Sequence, residues 1–261
     1  MKVKKVAIIF RGGVGRSFGK LGQNKDNLYQ KSPYINFYSV EKSIRYHIID
    51  PNLEYVFDTF IHCWNEDLQE DLVELYKPKK YLFESNIPYH EEIEKKLELS
   101  GHSMLSFGGV SVSLSIKKGC QLVESYCEEN NVKYDLVLFL RPDYLYWKDM
   151  ILDLYDEDKV YGTQYGPSDG QSHYVMNYEN MKNFKYLYDN ISTSIPPEDH
   201  LFIMRYIEKY IGNFHKDNFY TGVDHESVRK LRYQIENGCL PSECLYKYSL
   251  TMEEIYSYTA D

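Results

Sequence analysis

The chain has 261 residues, 43% of them hydrophobic and 16% aromatic, 27 tyrosines, and a formal net charge of −9. That length can bury a full core, and the acidic balance excludes a nucleic-acid footprint, which needs a basic face. The five cysteines (Cys63, Cys120, Cys127, Cys239 and Cys244) are odd in number and lack zinc spacing, so a disulfide framework and a structural zinc are set aside and a reducing, cytoplasmic setting is expected.

At the start, Val6 to Phe10 is a short apolar strand, too short for a signal peptide or a membrane span. It breaks into the glycine-rich turn Arg11-Gly12-Gly13-Val14-Gly15-Arg16. Pro33 to Ile49 reads as a helix ending near Asp50-Pro51. Tyr55 to Trp64 is a second strand, and Glu66 to Tyr76 an amphipathic helix with Leu68, Leu72 and Leu75 on one face. Lys79 to Glu84 is a third strand, and Ile87 to Leu99 a helix. After Gly108-Gly109, Val112 to Asn130 is a further helix. It leads into Tyr134-Asp135 and the apolar run Leu136 to Leu140, a strand buried on both faces. Strand and helix thus alternate over residues 1–150, which predicts crossover units and a mostly parallel sheet. Beyond Asp149 the pattern changes. Val160 to Gly162 and Tyr174 to Met176 are short strands flanking a Gly166 to Gly170 loop. Glu179 to Ile191 and Glu198 to Ile211 are helices. With no repeat and no linker, residues 1–261 read as a single domain with a nucleotide-binding half (1–150) and an acceptor-side half (151–261).

Three groups of residues carry chemistry. Arg141-Pro142-Asp143 ends the buried strand, and Pro142 stops the ladder because it has no N–H. Either Arg141 and Asp143 form an ion pair capping the strand, or Asp143 faces a bound diphosphate, directly or through a metal. The glycine turn could let the backbone approach a phosphate while Arg11 and Arg16 neutralise it, or it is a plain turn. It matches neither sharper motif. Its spacing to Gly19-Lys20 is one residue too long for a Walker A loop, and Phe18 stands where a Rossmann fingerprint needs its third glycine. In Pro196-Pro197-Glu198-Asp199-His200 the two acids fall in the first turn of a helix, either complementing its dipole or providing a general base. His62 and Trp64 follow the second strand, at the same end of the sheet as Asp143, where His62 either stacks near or bonds to a ligand or is a half-buried histidine satisfied within the protein. His215 and His225 are late histidines that could join Asp143 at a metal. Ser-His-Asp catalysis has no support, since no G-x-S-x-G elbow occurs.

In this order the motifs (Arg11-Gly12 after a strand, His62-Cys63-Trp64, Tyr134-Asp135 to Arg141-Pro142-Asp143, Tyr174 to Met181, and Pro197-Glu198-Asp199-His200-Leu201) resemble the GT-A class of nucleotide-sugar glycosyltransferases, especially compact ones from capsule loci and large DNA viruses. The resemblance covers roughly residues 3–211. It implies a GT-A-like α/β sandwich with a mostly parallel central sheet flanked by helices. It also implies a divalent cation, Mn²⁺ or Mg²⁺, held by a D-x-D motif on the donor diphosphate. Asp143 matches the last acid of that motif, while Arg141 replaces the first. In inverting members a Glu-Asp pair at a helix start carries the base as its Asp, which Asp199 matches. Trp64 and the Arg11 loop would border the nucleotide. The expected partners are a nucleotide sugar and a glycan acceptor, with no nucleic acid and no membrane segment. The expected reaction is sugar transfer to an acceptor hydroxyl, with inversion. The rivals are another nucleotide-dependent transferase (nucleotidyl- or phosphotransferase) and a non-catalytic carbohydrate-binding domain.

Overall fold

The most apolar runs of the chain become the centre of one sheet. In the computed structural model, which describes residues 3–15, 34, 37–101, 107–146, 149–162, 173–193, 202–216 and 228–230, β1 (Lys4–Gly12) lies between β2 (Tyr55–Cys63) and β4 (Leu136–Leu140). All five residues of β4 are buried, as a strand covered on both faces requires. With β3 (Lys80–Phe83), β6 (Val160–Gly162), β7 (Tyr174–Asn177) and β8 (Phe214–Lys216), the strand order is β3-β2-β1-β4-β7-β6-β8. Strands β3, β2, β1 and β4 run parallel, and β8 runs parallel to β6. The exception is β7, antiparallel to both β4 and β6. The sheet is therefore mixed but mostly parallel, as the early alternation of strand and helix predicts.

Side-chain alternation sends the strand residues into two apolar layers. On one face Val6, Ile8, Phe10, Leu138 and Leu140 pack with α1 (Phe37–Ile44) and α2 (Gln69–Tyr76) through Val40, Ile44 and Leu72. On the other, Ala7, Ile9, Val137 and Phe139 pack against α3 (His90–Ser100), α4 (Phe107–Asn130), α5 (Tyr178–Phe184) and α6 (Phe202–Tyr210). This is the expected α/β sandwich, with helices on both faces of the sheet.

Helix α4 lies so close to β1 that a Cβ at Gly119 would fall 2.6 Å from Ile9 Cγ2. Gly119→Ala should therefore destabilise the fold by about 1–3 kcal/mol through overpacking, despite the better helix propensity of alanine. Urea unfolding measures this, and an unchanged midpoint would show that α4 can retreat.

Several boundaries differ from the sequence expectation. Helix α4 starts at Phe107, so Gly108 and Gly109 lie inside its first turn, where the N–H groups have no intrahelical partner in any case. Phe107 fixes that turn by standing edge-on to His90. The first expected helix begins at Phe37 and continues as a wider turn, Arg45–Ile49, up to Asp50-Pro51. The helix expected to reach Ile191 ends as α5 at Phe184 and tightens into a 3₁₀ turn, Lys185–Leu187. Three short strands went unread: β8, β5 (Tyr144–Tyr146) and β9 (Val228–Lys230), the last two pairing antiparallel.

Candidate active site at the carboxyl edge of the sheet

From β1 the chain winds outward to β2 and β3, then returns to place β4 on the other side of β1. The strand order thus reverses between β1 and β4, and in open α/β sheets ligands bind in the crevice at such a reversal, beyond the carboxyl ends of the strands. The residues that end these two strands are Arg11-Gly12 and Arg141-Pro142-Asp143.

Arg141 and Asp143 form a two-pronged ion pair. Arg141 Nε donates to Asp143 Oδ1 at 2.7 Å and Nη2 to Oδ2 at 2.8 Å, with side chains only 12% and 7% exposed. Burial alone would lower the Arg141 pKa, but Asp143 more than reverses this and the net shift is upward. The guanidinium also lies over the Tyr144 ring, 5.1 Å from its centre. Between the two sequence readings, the structure contains the strand-capping pair. Arg11 is fully buried, 5.7 Å from the Tyr174 ring centre. Burial, reinforced by the nearby Arg141 charge, lowers its pKa to about 10, so it remains a cation at neutral pH. Two cationic side chains thus stand in a low-dielectric edge, where fields reach further than in water.

The turn after β1 is clamped. Gly12 adopts φ +86°, which only glycine reaches at no steric cost. Its N–H donates to Ser115 Oγ on α4 at 2.7 Å, and its carbonyl accepts from Trp64 N–H at 3.3 Å. Val14 N–H donates to Asn65 Oδ1 at 2.8 Å, the Asn65 amide donates to Tyr34 Oη, and Tyr34 donates to Asp67. Two successive connections and one helix thus fix the backbone that leaves β1.

His62, the register partner of Arg11, is fully buried, and both its ring nitrogens are engaged inside the protein. Nδ1 lies 2.7 Å from Ser115 Oγ and Nε2 3.1 Å from Glu84 Oε1. Glu84 also pairs with Lys118 at 2.7 Å and accepts from Tyr89 Oη at 2.8 Å. Desolvation pushes the Glu84 carboxyl up, but hydrogen bonds from His62, Lys118 and Tyr89 outweigh it and hold the pKa at about 2. Desolvation lowers the His62 pKa, with Glu84 opposing. Trp64 is half-buried, its ring edge-on to His62 at 4.4 Å. Cys63 is buried, and its thiol is pushed up to about 12, so it is no nucleophile.

The structure therefore gathers Arg11, Gly12, Gly13, His62, Trp64, Arg141 and Asp143 along one edge. It does not bring His215 to them. His215 is exposed on β8 beside Tyr161, and β7 and β6 lie between β8 and β4. At the usual strand spacing that is roughly 14 Å across the sheet, too far for a shared ion with Asp143. Arg16, Glu198, Asp199, His225 and the Gly166 to Gly170 loop lie outside the described residues. Sequence reasoning missed Ser115, Glu84, Lys118 and Asn65. One signal was present: Ser111, Ser113 and Ser115 alternate inside a helical stretch, and buried helix serines need partners.

The chain matches no protein-family model and no curated protein. Among solved structures it is similar to the apo form of mouse xyloside xylosyltransferase 1, at 10% identity and TM-score 0.41, covering 83% of this chain and 85% of that one. It is similar to a cytidylyltransferase from Leptospira borgpetersenii serovar Hardjo-bovis, at 13% identity and TM-score 0.46, covering 98% of each chain. It is also similar to HddC from Yersinia pseudotuberculosis, at 14% identity and TM-score 0.44, covering 94% and 97%.

Proposed function

We propose that this chain transfers a sugar from a nucleotide-sugar donor to a hydroxyl of a glycan acceptor, with inversion at the anomeric carbon. The observation that carries the reading is the pair of guanidinium groups at the β1/β4 reversal, Arg11 fully buried and Arg141 12% exposed. A departing nucleoside diphosphate gathers negative charge as its bond to the sugar breaks, and preorganised cations aimed at that charge lower the barrier. Arg141, held in orientation by Asp143, lies nearer the surface, while Arg11 contributes its field from within. The Gly12-Gly13 backbone and Trp64 border the nucleotide. Arg16 would add to the same cationic edge. In the transfer, the acceptor oxygen bonds to the anomeric carbon, the carbon–diphosphate bond breaks, and the acceptor proton passes to Asp199, its neighbour in sequence being Glu198.

The described residues do not fit the divalent cation that the resemblance implies. Both Asp143 oxygens are engaged by Arg141. No group of three His, Cys, Asp or Glu side chains able to hold a metal occurs among the described residues. Two guanidiniums beside the site would repel a further cation. Mn²⁺ or Mg²⁺ should therefore stimulate transfer at most, and turnover should persist in EDTA. Complete loss in EDTA, restored by metal, would place a full ligand set beyond the described residues, with His225 the first suspect.

Thermal-shift measurements with nucleotides and nucleotide sugars, with and without Mn²⁺, test the donor. A ligand at 100-fold its Kd adds about 2.7 kcal/mol of stability. A shift with a nucleotide sugar, followed by release of nucleoside diphosphate when an acceptor is added, supports the proposal. Pyrophosphate release from a nucleoside triphosphate would indicate a nucleotidyltransferase instead, and binding without turnover a carbohydrate-binding domain. No shift with any nucleotide overturns the reading. No helix among the described residues is long and apolar enough to cross a membrane.

A further inference from the structure

A buried chain of hydrogen bonds runs from the glycine turn to the surface of α4. Gly12 N–H donates to Ser115 Oγ, Ser115 meets His62 Nδ1, His62 Nε2 meets Glu84, and Glu84 ends on Lys118 and Tyr89. The donors can be assigned by elimination. A carboxylate only accepts, so Nε2 carries the proton toward Glu84. Neutral His62 then offers Nδ1 as an acceptor, and the Ser115 hydroxyl donates to it while accepting from Gly12. Every group is satisfied in this one arrangement. We infer that Ser115 and His62 are positioning residues that latch the Gly12 peptide, and with it the whole turn after β1, in its working conformation. The latch itself stands on geometry alone; its consequence for catalysis rests on the donor reading above.

The arrangement depends on one proton. The groups around His62 are Glu84 after β3, Lys118 and Ser115 on α4, and Tyr89, with Arg11 its register neighbour on β1. Glu84, with its pKa near 2, and Arg11, near 10, keep their charges across the neutral range. Lys118 is shifted upward and stays charged as well. His62 is the group left to titrate. Its folded-state pKa lies below the ordinary 6.5, because burial disfavours the charged ring. Protonation would also remove the Nδ1 acceptor that the Ser115 hydroxyl uses, so an opened turn binds the proton more readily than the latched one. The latch is therefore intact above pH 6.5 and weakens as pH falls below it. Protonated His62 would present Nδ1–H to Ser115, so that two donors converge on one hydroxyl whose own proton must turn elsewhere.

Amide hydrogen exchange of the full chain tests this, read as protection factors for residues 12–15, which corrects for the intrinsic effect of pH. Ser115→Ala should lower protection of the turn by about tenfold, the worth of roughly one hydrogen bond, while the centres of β1 and β4 stay protected. Unchanged protection in the turn overturns the proposal. His62→Asn places an amide oxygen near the position of Nδ1 and cannot titrate at these pH values. It should keep the turn protected and flatten its pH profile, whereas wild-type protection falls below pH 6.5. Identical profiles for wild type and His62→Asn also overturn the proposal, and this comparison holds even if Ser115→Ala fails to fold. A nucleoside diphosphate titration separates the two readings. If wild type binds none, the donor reading fails while the exchange result still decides the latch. If wild type binds and Ser115→Ala binds about as well, the latch has no part in donor affinity.

Discussion

Asp143→Ala should lower the stability of the fold by about 3–5 kcal/mol and abolish sugar transfer. The stability loss arises because the variant leaves the Arg141 guanidinium, 12% exposed, without its bidentate partner. Removing one member of a buried pair costs this much because the remaining charge has lost its water and found nothing in exchange. Arg11 aggravates the loss, since it already repels Arg141. At 2–4 °C per kcal/mol for a chain of this size, the melting temperature should fall on the order of 10 °C. Asp143→Asn should cost less, because it keeps the volume and one acceptor. Removing both charges together, as Arg141→Met with Asp143→Leu, should return stability close to wild type, because such pairs are often matched by apolar residues of similar volume. Sugar transfer by that double variant should stay absent, since Arg141 is gone. A double variant that is stable and active would reduce the pair to a structural cap. If Asp143→Ala melts as wild type does, the pair is more solvated than its exposure indicates.

Asp199→Asn should reduce transfer by about 10²–10⁴-fold, the usual span for removing a general base, with donor affinity nearly unchanged. The sequence supplies the reason. The pattern Pro196-Pro197-Glu198-Asp199 is expected from sequence to stiffen the approach to a helix start, where a first-turn carboxylate would be fixed by the backbone and would not have to search for its geometry. In that expected position the helix dipole would favour the ionised carboxylate over the neutral acid. Asparagine preserves the shape and most of the capping ability but cannot take the proton. Product analysis should show inversion at the anomeric carbon. Near-normal turnover in the variant, or a retained configuration, would return Asp199 to a capping role.

The central half of the fold was legible in the sequence because burial on both faces forces continuous apolar runs. Val6 to Phe10 and Leu136 to Leu140 admit no other use, and the helices between them carry plain 3.6-residue stripes. The arginines and Asp143 were legible as well, since charges that abruptly end an apolar strand must be paired or bind something. Only tertiary structure decided three matters. The reversal at β1/β4 depends on which neighbour each strand finds, and no local period encodes that. Strands β5, β8 and β9 exist through the partners they pair with. The chain Gly12–Ser115–His62–Glu84 joins residues up to 103 positions apart. Each looks ordinary in its own segment, and a hydrogen bond between two buried groups is a property of where they meet rather than of either residue alone.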